Sequence, residues 1–202
     1  KTMFGGNISI APDDFKKLTD LAKKQIAAVG NMSALTLLII GFAQGITNGF
    51  SVIIAQNFGS KDMSALRKSI AISIKLSLIL SVILTAISLI FLKSVLIAMK
   101  TDEIIIEESL IYGYIIFGGL TATMAYNLCS CILRALGDSK TPFIAIIISS
   151  ALNIILDCLF IFILKTGVGG AAIATIIAQI VSVIICIIRL RKTDIVQLTR
   201  ED

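Results

Sequence analysis

The repeated occurrence of apolar stretches about as long as a membrane-spanning helix constrains this chain more than any other feature. A spanning helix needs roughly 20 predominantly apolar residues. Hydrophobic residues make up 56% of the sequence and charged residues only 15%, whereas about a quarter of the residues in a soluble domain are charged. The sequence therefore predicts an all-α integral membrane protein with about five transmembrane helices, near residues 33–58, 70–92, 110–133, 143–164 and 171–188.

Basic residues lie mainly in the polar turns between these stretches. In an alternating five-helix path, residues 59–69 and 134–141 and the tail from residue 189 fall on one side and hold most of the lysine and arginine. Positively charged loops face the cytoplasm, so we predict a multi-pass protein of the cell membrane, specifically a bacterial inner membrane. No aromatic residues are interleaved with these clusters, so the net charge of +5 indicates topology and not nucleic-acid binding.

The two ends of the chain are polar and do not continue the pattern. Residues 1–26 carry five lysines and predict a polar segment with too few apolar residues to span, which could form a short helix after Pro12. Residues 27–190 contain all the apolar stretches. Residues 191–202 are predicted to form a cytoplasmic tail or a linker.

Several apolar stretches carry polar residues at helical spacing. Ser149, Asn153 and Asp157 are four residues apart, so they lie on one face of a helix. Lipid does not stabilise polar side chains, so these faces are predicted to point toward other helices or a water-filled cavity. Similar stripes contain Thr123, Asn127 and Ser130; Thr175, Gln179 and Ser182; and Gln44, Thr47, Asn48 and Ser51.

Asp157 is the only acidic residue within the predicted spans. Single residues such as Asn127, Thr175 and Gln179 are more often hydrogen-bonding contacts between helices than ligands. An ionisable group at membrane depth is costly and usually functional. We therefore favour a functional role for Asp157 over a purely structural one.

Small residues and cysteines have simpler interpretations. Gly41, Gly45 and Gly49 are four residues apart, and a ladder of serines and threonine runs from Ser73 to Ser88; both patterns predict close helix packing. The four cysteines lack C-x-x-C spacing and histidine is absent, so neither a zinc site nor a redox cofactor is predicted.

Four motifs carry a family resemblance. They are AQNFGSKD at residues 55–62, LRALGDSKTP at 133–142, NIILD at 153–157 and GVGGAAIAT at 167–175. Because these motifs occur in the order and at the spacing of the family, residues 27–190 resemble the N-terminal lobe of a multidrug and toxic compound extrusion (MATE) transporter. The resemblance implies part of a six-helix lobe, without the family's first helix and C-terminal lobe.

The resemblance also implies a function and a site. Such transporters are secondary antiporters that export cationic, lipophilic drugs in exchange for H⁺ or Na⁺, with no cofactor. By position, Asp157 would bind the proton or cation, with Asn153 one turn before it, Asn127 from the preceding span and Thr175 from the following one. No metal other than Na⁺ at Asp157 is implied. Cavity-lining candidates are Gln44, Asn48, Ser149 and Gln179.

Two other functions remain open. Related lipid-linked oligosaccharide flippases share the helical layout, but they would be expected to line their cavity with cations, whereas these spans hold one acid. The chain could also be a non-transporting membrane scaffold or remnant. No nucleophile and base pair is visible, so an enzyme is not predicted. The expected partners are the lipid bilayer and a small cationic compound, and not nucleic acid.

Overall fold

The computed structural model describes residues 12–193, and these residues form a bundle of helices without strands. Four helices are long and apolar enough to cross a membrane, and a pair bent by 43° adds a fifth if it forms one span. The prediction of about five apolar helices is confirmed. The helices are α1 (Pro12–Gly59), α2 (Met63–Ala98), α3 (Glu103–Gly118), α4 (Leu120–Ala135), α5 (Lys140–Cys158), which continues as a π-helix (Leu159–Ile163), and α6 (Gly167–Arg191).

The N-terminal part of the described chain differs from the prediction. Instead of a short separate helix after Pro12, α1 is one helix of 48 residues, because good helix formers run from there into the first apolar stretch. At 1.5 Å per residue it is about 72 Å long, more than twice the roughly 30 Å hydrocarbon core. Asn31 Nδ2 donates a hydrogen bond of 2.7 Å to Thr101 Oγ1 after α2, so residues before Asn31 extend beyond that turn.

The remaining helix ends follow the turn signals, with one exception. Asp62 accepts a hydrogen bond from Ala65 N (2.9 Å) and begins α2. Asp102 accepts one from Ile104 N (3.0 Å) and begins α3. The charge of residues 99–110 predicts a segment that does not span and lies at the membrane interface. From Glu103 onward this run forms the first turns of α3, because Asp102 caps the helix and no helix breaker follows before Gly113. Its position at the interface stays a prediction.

Helix α4 lies at the centre and contacts α1, α2 and α6, while α6 also contacts α3 and α5. One apolar cluster includes Leu66, Ile132 and Leu190, and a second includes Met32 and Phe117. In α5 only Pro142 and Ala145 are buried. Most of the apolar surface of α5 is therefore left for lipid or for helices outside the described residues.

The serine ladder of α2 and the three spaced glycines of α1 differ in their burial. Ser73, Ser77, Ser81 and Ser88 are buried, which confirms close packing along α2. The glycines Gly41, Gly45 and Gly49 are exposed, and a methyl group on any of them would meet no atom of the described chain within 4 Å. Within the described chain they therefore contact no other helix, and close packing against a helix outside it stays a prediction. They lie on the uncovered face of α1.

One end of the bundle is fixed by Asp138, in the turn between α4 and α5. Its Oδ1 accepts a hydrogen bond from Thr141 N (3.0 Å), and its Oδ2 accepts from Thr141 Oγ1 (2.8 Å). Arg189 Nε donates to the same Oδ2 at 2.8 Å, so the last turn of α6 is held beside this turn. We call this the basic end of the bundle, defined by Lys61, Arg67, Lys68, Arg134, Lys140, Arg189, Arg191 and Lys192.

We expect this contact to give a pH-dependent contribution to stability. Hydrogen bonds from Arg189 and Thr141 lower the pKa of Asp138 from 3.8 to about 2. A lowered carboxyl pKa contributes stability above the unfolded value, and that contribution is lost as the pH falls through about 2. Asp138→Asn should lower the melting temperature in detergent by about 1 to 3 °C near pH 7, a small effect because the pair is partly exposed.

Thermal unfolding measured across the acid range tests this prediction. The difference between wild type and Asp138→Asn should narrow only as the pH falls from 3.8 toward about 2. Asp62→Asn is the matched control, because Asp62 caps α2 but has no arginine partner in the described chain. An equal melting temperature for Asp138→Asn and wild type at neutral pH would contradict the prediction.

Candidate functional site

The predicted cation-site residues lie on three consecutive elements of the bundle. Asn127 is on α4, Asn153 and Asp157 are on α5, and Thr175 is on α6. Asn153 and Asp157 are one helical turn apart, so they share a face of α5. Helix α6 packs against both α4 and α5, which brings the three elements side by side.

Four of the singled-out residues have a buried polar atom without a hydrogen-bond partner in the described chain. Buried polar groups in proteins are nearly always paired, so these four atoms are available to a proton, an ion or another polar group. Either end of an amide can face such a group, since the oxygen and nitrogen assignments are interchangeable. The atoms are Asn127 Nδ2, Asn153 Nδ2, Asp157 Oδ1 and Gln179 Oε1.

The helix rise separates these residues into two levels. The bond between Arg189 and Asp138 joins the last turn of α6 to the turn between α4 and α5. We count the distance of each residue from this end along its own helix, at 1.5 Å per residue. Asn153 lies about 20 Å from the basic end, Thr175 about 21 Å and Asp157 about 26 Å. These three residues form the upper group, within about one helical turn of each other.

The other predicted residues lie nearer the basic end. Asn127, Ser149 and Gln179 are about 12 to 15 Å from it by the same rise, and we call them the lower group. Asn127 is eight residues from the end of α4, and Asp157 is 17 residues from the start of α5. The resemblance places Asn127 in the same cluster as Asp157, and that stays a prediction.

Tyr112 is a further polar side chain near Asp157 that the sequence did not single out. It is half-buried on α3, and its phenol lies within electrostatic range of the Asp157 carboxylate. The available signal was weak: Tyr112 is one of only three tyrosines, and a tyrosine in an apolar helix needs a partner for its hydroxyl. Helix α3 therefore contributes a fourth side chain to the upper level.

The chemistry of the upper group suits a proton or a hard cation. Thr175 Oγ1 donates to Ala171 O at 3.0 Å, which leaves the oxygen's lone pairs able to accept or coordinate. Together with the Asp157 carboxylate and the Asn153 amide, it offers only oxygen ligands, which hard cations prefer. Within residues 12–193, no three histidine, cysteine or acidic side chains cluster closely enough to hold a metal ion.

A π-helix begins two residues after Asp157. Over Leu159–Ile163 the regular hydrogen-bond ladder of α5 is interrupted, and the freed carbonyl of Phe160 accepts hydrogen bonds from Thr166 N (3.0 Å) and Thr166 Oγ1 (2.8 Å). Short π-helical segments occur frequently at functional sites. Here the segment positions the end of α5 and the start of α6 around the upper group.

The remaining cavity-lining candidates lie elsewhere. Gln44 and Asn48 are on the uncovered face of α1. Asn48 Oδ1 accepts a hydrogen bond from Cys131 Sγ (3.3 Å), and Arg134 donates to the same sulfur at 3.3 Å. Beside them is a shallow cavity of about 510 Å³ lined by Ser51, Val52, Ala55, Gln56, Cys131, Arg134 and Ala135.

Known proteins provide an independent comparison. The sequence profile of the MatE family matches residues 18–159. The chain is 34% identical over 171 residues to "Probable multidrug resistance protein YoeA" of Bacillus subtilis (strain 168), covering 83% of this chain and 37% of that protein. It is 31% identical over 137 residues to "Probable multidrug resistance protein NorM" of Thermotoga maritima, covering 66% of this chain and 30% of the relative.

Solved structures of transporters are similar to this chain as well. The chain superposes on the inward-facing conformation of a multidrug resistance MATE family transporter of the MOP superfamily with a TM-score of 0.84 and 30% identity, covering 88% of this chain and 41% of that one. It superposes equally well, with a TM-score of 0.84 and 31% identity, on a MOP superfamily transporter from Pyrococcus furiosus, covering 91% of this chain and 41% of that one. The chain thus spans about two fifths of the length of these proteins.

Proposed function

This chain belongs to the MatE family of transporters, and from that premise we propose that it supplies the ion-coupling lobe of a secondary antiporter exporting cationic, lipophilic compounds. The observation that carries the proposal is the upper group, in which the buried and unpaired Asp157 Oδ1 lies within a turn of Asn153 and Thr175 and in range of Tyr112. The protein would reside in the plasma membrane with its basic end toward the cytoplasm.

The coupling would work through the occupancy of Asp157. A ligand shifts a conformational equilibrium only if it binds the two states with different affinity. A proton on Asp157, or Na⁺ bound by Asp157, Asn153 and Thr175, neutralises the carboxylate and favours the state in which α5 and α6 close around it. Loss of the ion restores the charge and favours the other state. No covalent step is involved, as expected in a family of transporters.

The distribution of charge supports a cationic substrate. Asp157 is the only acidic side chain within the five predicted spans, and Lys75 is exposed on α2. The lower group and the uncovered face of α1 add neutral amides and a hydroxyl. A lipophilic cation would find polar contacts there without a repelling positive charge.

An anionic substrate is the second candidate. Arg134 lines the shallow cavity between α1 and α4 and carries a positive charge at the basic end. One relative, 28% identical over 176 residues, is the "FAD transporter" of Shewanella oneidensis. For the Pyrococcus furiosus transporter, "reverse polarity of binding pocket suggests different function". If this chain shared such a substrate, Arg134 would be the residue to meet its phosphates.

Transport in proteoliposomes distinguishes these candidates. The complete reading frame that encodes this chain is reconstituted, and export of ethidium and of FAD is followed under an imposed proton gradient and, separately, an imposed sodium gradient. We expect ethidium export with one of the two gradients, and that gradient identifies the coupling ion. Export of FAD but not of ethidium would favour the anionic candidate. Export of neither would favour the flippase or scaffold alternatives.

A further inference from the structure

A second cavity lies between α2, α4 and α6, away from the upper group. Its volume is about 480 Å³, and its wall is almost entirely apolar. On α4 it is lined by Thr121, Ala125, Leu128 and Ile132, which repeat every three to four residues and so define one helix face. Asn127 is on the opposite side from Ala125, since two residues correspond to about 200° of helix rotation. The groove therefore opens away from the polar stripes.

The groove occupies the half of the bundle nearest the basic end. Its wall on α2 runs from Ile70 to Ser81, a rise of about 16 Å, which matches the roughly 15 Å of hydrocarbon in one membrane leaflet. Its wall on α6 is formed by Ile187, Leu190 and Arg191. An extended acyl chain of the adjacent leaflet fits this length and this apolar lining.

Two arginines flank the groove at the basic end. Arg191 is exposed and lines the groove directly. Arg67 lies on the same face of α2 as Ile70 and Ile74, and its Nε is buried without a hydrogen-bond partner. Neither guanidinium is paired within the described part of the chain, whereas Arg189 is paired with Asp138. Arginine binds phosphate through two parallel hydrogen bonds, and a buried nitrogen without a partner, such as Arg67 Nε, is costly.

Deeper in the groove, one wall residue is also unsatisfied. Ser77 is 4% exposed, lines the cavity, and has an Oγ without a hydrogen-bond partner among the described residues. Its depth, about 10 Å along α2 from Ile70, is within reach of the ester groups or the upper chain of a seated lipid. The groove thus combines an apolar wall, one buried hydroxyl and two cations at the end that faces the headgroups.

We propose that this groove binds an anionic glycerophospholipid of the leaflet at the basic end, with one acyl chain along α2 and α4 and the phosphate between Arg67 and Arg191. The lipid bridges α2, α4 and α6 on the side away from the coupling site. This site is distinct from the proposed transport site, so it stands whether or not Asp157 couples transport to an ion.

Native mass spectrometry of the complete protein in detergent tests the proposal, with phosphatidylglycerol and phosphatidylcholine as probes. Each arginine near an anionic headgroup contributes about fivefold in affinity. The Arg67→Gln/Arg191→Gln variant should therefore lose about 30-fold in phosphatidylglycerol affinity, with little change for phosphatidylcholine. Lys93→Gln/Lys100→Gln, at the opposite end of α2, is the matched control and should bind both lipids like wild type.

A second variant tests the acyl-chain groove itself. Ala125→Phe fills the cavity from α4 and should reduce binding of both lipids, provided that size-exclusion chromatography and thermal unfolding show a folded protein. Equal losses of phosphatidylglycerol in the arginine and lysine variants would indicate only general electrostatic attraction and overturn the site. Wild-type binding without preference between the two lipids, or unchanged preference in the arginine variant, would overturn it as well.

Discussion

Asp157→Asn is expected to reduce gradient-driven ethidium export by about tenfold or more, to the level of passive leak. Coupling free energies between sites are typically 1–3 kcal/mol, or about 5- to 150-fold. Asparagine keeps the size and a hydrogen-bonding oxygen but cannot alternate between a charged and a neutral form. The variant should therefore lose the link between ion occupancy and conformation while keeping the fold, because Asp157 makes no hydrogen bond to the described chain that asparagine would break.

Two further variants make this result interpretable. Asp157→Glu retains a titratable carboxylate and should restore part of the export. Ile155→Ala, on the opposite face of the same helix and 63% exposed, should export like wild type. All variants are compared at equal membrane expression and with melting temperatures in detergent. Export that survives in Asp157→Asn would assign Asp157 a structural role, and a large fall in melting temperature with no ion dependence would favour the scaffold alternative.

The helices and the upper group could be predicted because both depend on local periodicity. A run of about 20 apolar residues has few alternatives to a spanning helix, and residues four apart share a face wherever the helix lies. Asn153 and Asp157 therefore share a face of α5, as their spacing alone predicts. Whether Asn127 joins them could not be obtained in this way, because it depends on how α4 and α5 pack against each other.

The packing of glycines could not be predicted from spacing. Gly41, Gly45 and Gly49 have the pattern of a helix contact yet meet no other helix of the described chain, because the pattern identifies a smooth face and does not identify its partner. Glycines that do approach other helices include Gly113 and Gly119, in the third apolar stretch, and Gly169 near the start of α6. The sequence of the third apolar stretch also did not predict the 43° bend between α3 and α4, because apolar residues continue on both sides of it.

The bend at Gly119 leads to the largest expected effect on stability. A Cβ atom at this position would lie 2.5 Å from both Cγ1 and Cδ1 of Ile176 on α6. Overpacking of this kind costs about 1–3 kcal/mol, so Gly119→Ala should lower the melting temperature in detergent by about 3 to 10 °C. At Gly118, the neighbouring residue of the same bend, a Cβ would meet nothing within 4 Å.

Gly118→Ala is therefore the matched control, and it should leave the melting temperature unchanged or raise it, because alanine is the better helix former by about 1 kcal/mol.

Ile176→Ala removes the side chain that the new methyl group would contact. If the clash is the cause, the double variant Gly119→Ala/Ile176→Ala should be no less stable than Ile176→Ala alone, which gives a coupling energy of about 0.5 to 3 kcal/mol. Additive losses would show that the glycine acts through the backbone of the bend and not through its contact with α6. In either case the bend joins the helix of Tyr112 to that of Asn127, so the same variants show how much the packing of α6 against this bend stabilises the bundle.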